Sequence, residues 1–326
     1  MFKPMASAWQ TKIFLIAALV SLGLFLSLGL HSLISLRQAR QTVSSALLSQ
    51  LVNQQTAKLK EFVSSKLNSL SLVITQPGVT AVSLSEQRSL LQRLLKQELA
   101  WQGSAFINPV GQETAHLVEG GLSVPLVSHQ DQPAFKAALA GQQYIGPVEF
   151  EGQEAYLAIA VPVINRAGAV IAVWWGRLNL GSLRQEFNKI RLGTSGYLYV
   201  LTSDQQILAE SNAFPFDRAA FKPHALVQTL LQDSTYNILG PEQNYDDVNG
   251  RQVLIAGQRV PVVNWTVVAA WPEDEIISSS RELIQALAVL ILVVWLLTLA
   301  VIYLAVVFLI KPQSLSASPP VAGSQG

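Results

Sequence analysis

Two long apolar segments lie near the ends of the chain and enclose most of its polar residues. Residues 13–36 and residues 283–310 contain no Asp, Glu, Lys or Arg. Each segment is longer than the about 20 residues that a helix needs to cross the hydrocarbon core of a bilayer. We therefore predict two transmembrane helices, which place both termini on one side of a lipid bilayer and the residues between the helices on the other.

The first apolar segment also follows a basic start, at Lys3 and Lys12, as a cleaved signal peptide would. The segment is longer than the ~7–15 residues of a typical signal-peptide apolar region, and Arg37 stands where a cleavage site would be expected. A retained membrane helix is therefore favoured. Basic residues next to a membrane helix are more frequent on its cytoplasmic side. Lys311, directly after the second segment, therefore favours cytoplasmic termini. The first segment does not decide the orientation, because Lys3 and Lys12 precede it and Arg37 and Arg40 follow it.

The two ends of the chain are short and polar. Residues 1–12 are assigned to a cytoplasmic N-terminus. Residues 311–326 are mostly Ser, Pro, Ala and Gly and show no apolar period. Such a composition cannot bury enough apolar surface to fold, so we predict a disordered tail.

Residues 37–75 show the period of one long amphipathic helix that continues from the first transmembrane segment. Apolar residues recur three or four positions apart, with Gln, Ser and Lys between them, and Pro77-Gly78 ends the pattern. Two interpretations of the apolar face remain open: it packs only on its own domain, or it forms the seam of a homodimer that carries motion into the membrane. The polar stretch Asn53-Gln54-Gln55 interrupts a strict heptad.

Two rounds of a helix followed by a run of strands are predicted after this helix. Each round takes roughly 100 residues, the usual size of one module, so the fold class is α+β with two tandem antiparallel sheets. We assign 76–182 to a membrane-distal module and 183–281 to a membrane-proximal module. The first round contains helices over 83–100 and 133–139 and strands over 104–108, 114–118, 145–150, 155–163 and 170–178. The second contains a joining helix over 183–190, a helix over 225–232 and strands over 197–202, 207–210, 252–261 and 265–271.

The segment Gly193-Thr194-Ser195-Gly196 directly precedes the first strand of the second round. It resembles a nucleophile elbow only superficially, and its composition predicts a turn. We expect Gly196 to have a positive φ in that turn.

Composition and motifs exclude several classes of function. The chain has no cysteine, so it offers no disulfide, thiolate zinc ligand or cysteine nucleophile. Its 22 basic and 21 acidic residues nearly balance, which is a poor match for nucleic acid. His31 lies in the first apolar segment, and His116, His129 and His224 form no metal-ligand motif, so single surface histidines are expected. Neither an enzyme nor a cofactor is predicted.

Two stretches resemble the double Cache family of extracellular sensor domains. The first runs from Asp131-Gln132-Pro133-Ala134-Phe135 through Tyr144-Ile145-Gly146-Pro147-Val148 to Ala160-Val161-Pro162-Val163. The second is Leu192-Gly193-Thr194-Ser195-Gly196-Tyr197-Leu198-Tyr199-Val200. The resemblance covers about residues 37–281 and implies two PAS-like modules on a long helix, with a small-molecule site in the membrane-distal module.

The resemblance also implies where a ligand would bind. In the amino-acid-binding branch of the family, an Arg-x-Trp-Tyr run stands where this chain has Gln132-Pro133-Ala134-Phe135. Gln132 replaces the arginine that would hold a carboxylate in two hydrogen bonds, so a neutral or weakly anionic ligand is expected. Aromatic residues on strands also serve packing alone, and that alternative stays open for most of them. The expected ligand-binding residues are Phe106, Asp131, Gln132, Phe135, Tyr144 and Tyr156.

The function that the resemblance implies is extracytoplasmic sensing of a small molecule by a transmembrane receptor of the bacterial plasma membrane. Family members normally end in a cytoplasmic output domain, whereas this sequence stops soon after Lys311-Pro312. We expect a receptor that signals through a separately encoded cytoplasmic protein. A membrane-anchored binding protein without a signalling role is the second interpretation, and an extracytoplasmic enzyme is the third because no catalytic motif is visible.

Overall fold

The computed structural model describes residues 8–74, 83–97, 100–218, 221–223, 225–232, 238, 244–247, 249–278 and 281–309. The chain divides into two compact units, one made of residues 1–41 and 277–326 and the other of residues 42–276. The predicted end of the long helix at Pro77-Gly78 and the predicted tail over 311–326 lie outside the described residues.

The first unit contains the two apolar helices. Helix α1 runs over Ala8–Ile74 and enters this unit with its N-terminal part, and helix α7 runs over Arg281–Leu309. Both are long and apolar enough to cross a membrane. The hydroxyl of Thr298 donates to the carbonyl of Val294 within α7, which satisfies a polar group that lipid could not.

The part of α1 that lies in the second unit supplies one side of a hydrophobic core. Its inward apolar positions are three, four or seven residues apart and are buried, as the amphipathic pattern predicts: Leu48, Val52, Leu59, Val63, Leu67 and Leu70. Val43 and Leu47 of the same stretch remain 59% and 49% exposed. Packing on its own domain therefore accounts for most of the apolar face but leaves these two side chains uncovered.

The first module is a six-stranded antiparallel sheet that lies against α1 and helix α2 (Leu84–Gln97) on one face. Its strands are β1 (Trp101–Ile107), β2 (Glu113–Val118), β3 (Leu122–Ser123), β4 (Tyr144–Glu151), β5 (Glu154–Ile164) and β6 (Val170–Asn179). They lie in the order β3-β2-β1-β6-β5-β4. Helix α3 (Pro133–Leu139) packs on the opposite face through Ala134, Phe135 and Ala138.

The second module is a five-stranded antiparallel sheet that follows the joining helix α4 (Gly181–Asn188). Its strands are β7 (Tyr197–Leu201), β8 (Ile207–Glu210), β9 (Asn244–Asp246), β10 (Gln252–Val260) and β11 (Trp265–Pro272), in the order β8-β7-β11-β10-β9. Helix α5 (Ala225–Gln232) packs on this sheet, and helix α6 (Glu273–Ser278) follows β11. One face of the sheet continues the core of the first module, and the other carries an aromatic cluster.

The predicted helices and strands of both rounds are present, with boundaries shifted by at most three residues. Strands β3 and β9 were not predicted, because two or three residues are too few to show an alternating pattern. Both short strands lie at a sheet edge, so each pairs on one side only.

The expectation of a positive φ at Gly196 is wrong. Gly193 is the glycine of this loop with a left-handed backbone, at φ 59°. Gly196 is needed because the loop folds back on itself: a Cβ atom there would lie 2.4 Å from the carbonyl oxygen of Leu192. Close approach of two backbone segments, rather than a left-handed conformation, therefore requires glycine at position 196.

Candidate ligand-binding site

A groove of about 530 Å³ opens on the α3 face of the first sheet. Its walls come from the start of α3, from the irregular pairing of β4 with β5, and from the centre of β6. The lining residues are Gln132, Pro133, Ala134, Tyr144, Gly146, Pro147, Glu149, Glu151, Ala158, Trp175 and Arg177. The pairing of β4 with β5 shifts register between Ile145 and Val148, and Gly146-Pro147 fills the irregular segment. Such a bulge bends the strand and opens space beside it.

Strand alternation decides which side chains reach the groove. On β6, Trp175 and Arg177 line it, whereas Trp174 and Leu178 are buried in the core against the helices. Ala158 on β5 also lines the groove, whereas Leu157 and Ile159 are buried in the core.

Arg177 is the central charged residue of the groove. Its guanidinium lies over the ring of Tyr156, with Cζ 4.1 Å from the ring centroid. Nη1 donates to Oε1 of Gln102 at 3.0 Å, and Nη2 lies 2.5 Å from Oε1 of Glu151 and 3.5 Å from Oε2 of Glu149. Its Nε is buried and has no partner among the described residues. The guanidinium is thus held in place by stacking and by two carboxylates, with one donor unused.

A buried network of hydrogen bonds fixes the other end of the groove. The carboxylate of Glu113 is fully buried and meets Nε2 of His129 at 2.6 Å and Nδ1 of His116 at 3.1 Å. It also accepts the backbone N–H of Val127 at 2.9 Å. Nδ1 of His129 in turn lies 2.7 Å from Oε1 of Gln132. The expectation that these histidines are single surface residues is therefore wrong, because His116 and His129 share one carboxylate.

His129 joins the buried carboxylate of Glu113 to the side-chain amide of Gln132 through its two ring nitrogens. The ring lies against Trp175, with centroids 5.5 Å apart. The network therefore orients two residues that line the groove, Gln132 directly and Trp175 by packing.

The structure brings some of the sequence-predicted ligand residues to the groove and places the others elsewhere. Gln132 and Tyr144 line the groove, and Tyr156 lies beneath Arg177. Phe135 is buried below α3 and supports the groove from behind. Asp131 is fully exposed and lies 3.8 Å from Nζ of Lys136, outside the lining.

Phe106 is not brought to this face. It is 3% exposed and belongs to the core that faces α1 and α2, beside its strand partner Trp174. Its neighbour Ile107 packs on the α3 side instead. Side chains on successive strand residues point to opposite faces, so Phe106 cannot reach the groove.

Sequence reasoning missed Trp175 and Arg177 as groove residues and the network around Glu113. Arg177 was visible as the single charged residue within the apolar strand β6, two positions after Trp175. A charge at such a position points to a polar site on one face of a sheet. Glu113 and His129 are 16 residues apart and lie on different elements, so no local pattern joins them.

The described residues contain no group of three or more His, Cys, Asp or Glu side chains placed to hold a metal ion. The two histidines around Glu113 each contact its carboxylate through a ring nitrogen. The groove offers aromatic surface at Tyr144 and Trp175, the guanidinium of Arg177 and the amide of Gln132. These groups are suited to binding a small polar molecule.

Comparison of the sequence with curated proteins finds no match. Solved structures resemble the fold. The ligand-binding domain of the Campylobacter jejuni chemoreceptor Tlp3 in complex with L-valine is 10% identical, with a TM-score of 0.57 over 74% of this chain and 97% of that chain. The sensory domain of the same chemoreceptor with isoleucine bound is 10% identical, with a TM-score of 0.56 over the same shares.

An extracellular domain assigned to a histidine kinase, rpHK1S-Z16, is also similar. It is 17% identical, with a TM-score of 0.53 over 71% of this chain and 95% of that chain. The model of the Cache domain family matches residues 34–280, which include α2, both sheets and the groove. The chain belongs to the Cache domain family.

Proposed function

We propose that this protein is the extracytoplasmic sensor of a transmembrane receptor and that its ligand binds in the groove of the first module. The observation that carries the proposal is the groove itself, in which Tyr144, Trp175, Gln132 and Arg177 converge on one side of a Cache sheet. Two helices long and apolar enough to span a membrane flank the Cache region in the sequence. This arrangement supports a ligand signal that crosses a bilayer.

The charges of the groove indicate the class of ligand. Arg177 is shared between Glu149 and Glu151, so its positive charge is already neutralised. A strongly anionic ligand would have to displace both carboxylates. We therefore propose a ligand of little net charge, which includes zwitterionic amino acids such as the L-valine of the similar Tlp3 complex. Its polar end would meet the guanidinium of Arg177 and the amide of Gln132, and its apolar part would contact Tyr144 and Trp175.

A thermal-shift screen of the full chain in a non-ionic detergent tests this proposal. Neutral amino acids, amides, purines and sugars are added singly, and the melting temperature is recorded. A ligand at ~100 times its dissociation constant stabilises the folded state by about 2.7 kcal/mol. For a unit of this size, that raises the melting temperature by roughly 5–10 °C.

Three variants locate the site of any compound that stabilises the chain. Gln132→Ala and Tyr144→Ala each remove a lining residue and are expected to abolish the shift. Asp131→Ala is the matched control, since Asp131 is adjacent to Gln132 but lies outside the groove. A compound whose shift survives both lining variants binds elsewhere, and the groove assignment then fails.

Homodimer formation is part of the proposal. Val43 and Leu47 leave an apolar strip on α1 that the described part of the chain does not cover. A second copy of α1 is a suitable occupant, because an apolar strip of this spacing is what two helices bury against each other.

A further inference from the structure

A second cleft, of about 270 Å³, lies where the two modules meet at α4. The first module contributes Gln153 and Glu154, α4 contributes Gly181, Arg184, Gln185 and Asn188, and the second module contributes Glu210 and Arg218. The residues from α4 are spaced three or four apart and therefore form one face of the helix. Leu183 and Phe187 on its other face are buried in the core.

Two of the four charged groups in this cleft satisfy each other. Arg218 donates from Nε to Oε1 of Glu210 at 2.7 Å and from Nη2 to the other carboxylate oxygen. This is the paired arrangement in which an arginine and a carboxylate bind most strongly. Glu210 therefore has little capacity left for another cation.

Arg184 is the charged group that lacks a partner. Its guanidinium makes no hydrogen bond or ion pair within 4.0 Å in the part of the chain that the structure describes. Burial lowers the pKa of Arg184, and the nearby Arg218 lowers it further, while Glu210 and Glu154 act in the opposite direction. A half-buried cation that has lost water without gaining a partner is unfavourable, and an added anion would relieve this cost.

The remaining carboxylate of the cleft, that of Glu154, does not pair with Arg184. It is exposed, and its Oε2 accepts a 3.4 Å hydrogen bond from the amide of Asn179, which also caps the first N–H of α4. The amides of Gln185 and Asn188 border Arg184 and add hydrogen-bond donors. The volume is below the ~300–1,000 Å³ of pockets for drug-sized molecules, so it suits a compound of few non-hydrogen atoms.

We propose that this cleft binds a small oxyanion, a carboxylate or a phosphate, with Arg184 as the residue that anchors it. The anion sits between the β4–β5 hairpin of the first module and the β8 end of the second. A ligand there contacts both modules and the helix that joins them. The site is separate from the groove and does not depend on the function proposed for it.

Calorimetric titration of the full chain in a non-ionic detergent tests this site. Acetate, succinate and inorganic phosphate are titrated separately, against sodium chloride at matched ionic strength. We expect saturable binding of at least one anion, with a dissociation constant in the millimolar range or below. Comparison of acetate and succinate with phosphate shows whether the cleft binds a carboxylate or a phosphate. If none of the three binds more than chloride does, the proposal is overturned.

Charge variants tie the binding to Arg184. Arg184→Gln is expected to weaken binding at least tenfold, and Arg184→Lys, which keeps the charge but not the planar fork, to weaken it less. Glu154→Gln removes an opposing carboxylate and is expected to tighten binding several-fold. Arg191→Gln is the matched control, since Arg191 follows α4 but is exposed and outside the cleft.

Two outcomes of these variants contradict the site. Binding that is unchanged in Arg184→Gln places the anion elsewhere, as does an equal loss in Arg191→Gln. If Arg184→Gln does not fold, the site is tested by the other two variants: Arg184→Lys should weaken anion binding, and Glu154→Gln should strengthen it. Tyr144→Ala, which alters the groove, should leave anion binding unchanged. The anion site and the ligand site in the groove can therefore be disproved independently.

Discussion

Single residues in the loop before β7 show what a sequence pattern can and cannot predict. The composition of residues 193–196 predicted a turn, and a turn is present. It did not indicate which glycine has the left-handed backbone, because that depends on partners elsewhere in the chain. Glu275, which is 80 residues away, accepts the backbone N–H and the hydroxyl of Ser195 at 2.8 and 2.5 Å and holds the loop in place.

Gly196→Val is expected to destabilise the protein by about 1–3 kcal/mol, the usual cost of overpacking a filled site. The reason is steric: the added Cβ would lie 2.4 Å from the carbonyl oxygen of Leu192. The measurement is the midpoint of chemical denaturation. Gly103→Ala is the control, since a Cβ there has no neighbour closer than 3.6 Å. Equal stability of Gly196→Val and the wild type would show that the loop has another conformation.

Glu275 makes part of the stability dependent on pH. Burial acts to raise the pKa of its carboxyl, but hydrogen bonds from Ser195 and Thr194 outweigh it and lower the pKa below its ordinary value of 4.5. The stability that ionised Glu275 contributes is therefore complete above pH ~4.5, and it is lost as the pH falls through the lower pKa of the folded state. Glu275→Gln should melt below the wild type at pH 6, and the difference should shrink towards pH 3. A difference that does not vary with pH contradicts this assignment.

At the scale of elements, alternation along β1 and β6 separates the core from the groove. The sequence pattern predicted these strands, but not the face that each residue would occupy. The choice between two faces depends on where α1, α2 and α3 pack, and a strand pattern alone cannot supply this. The sequence therefore indicates Phe106 as a ligand residue although it lies in the core, and it does not indicate Trp175 and Arg177, which line the groove.

Phe106→Ala tests the assignment of faces. Because Phe106 is buried against the helices, its truncation should cost about 3–5 kcal/mol of folding free energy, as for other buried phenylalanines. The dissociation constant of any groove ligand should stay the same at a temperature where the variant is folded. Tyr144→Ala should show the opposite pattern, a small loss of stability and a large loss of affinity. A Phe106 variant that binds more weakly while remaining folded would place this residue in the site.

At the scale of the whole molecule, the tandem arrangement of modules could be predicted from the sequence, whereas the lining of the groove could be predicted only at Gln132 and Tyr144. Strand length, helix period and turn composition are local properties, and they sufficed for every strand of the two sheets except the short edge strands β3 and β9. The sites join residues that are distant in sequence: Glu113 with His129, and Arg184 with Arg218. Tertiary packing determines these contacts, and a single sequence carries no record of them beyond isolated charges in apolar elements.

The two apolar helices make a prediction about topology that involves the whole chain. If both span the membrane, Ser203 and Ser316 lie on opposite sides of it. Ser203 occupies an exposed turn between β7 and β8, and the chain has no native cysteine, so single cysteine variants give an unambiguous signal. Ser203→Cys should react with a membrane-impermeant thiol reagent on intact cells, whereas Ser316→Cys should react only after permeabilisation. Labelling of Ser316→Cys alone on intact cells would invert the topology and place the groove on the cytoplasmic side, where it could not sense an external ligand.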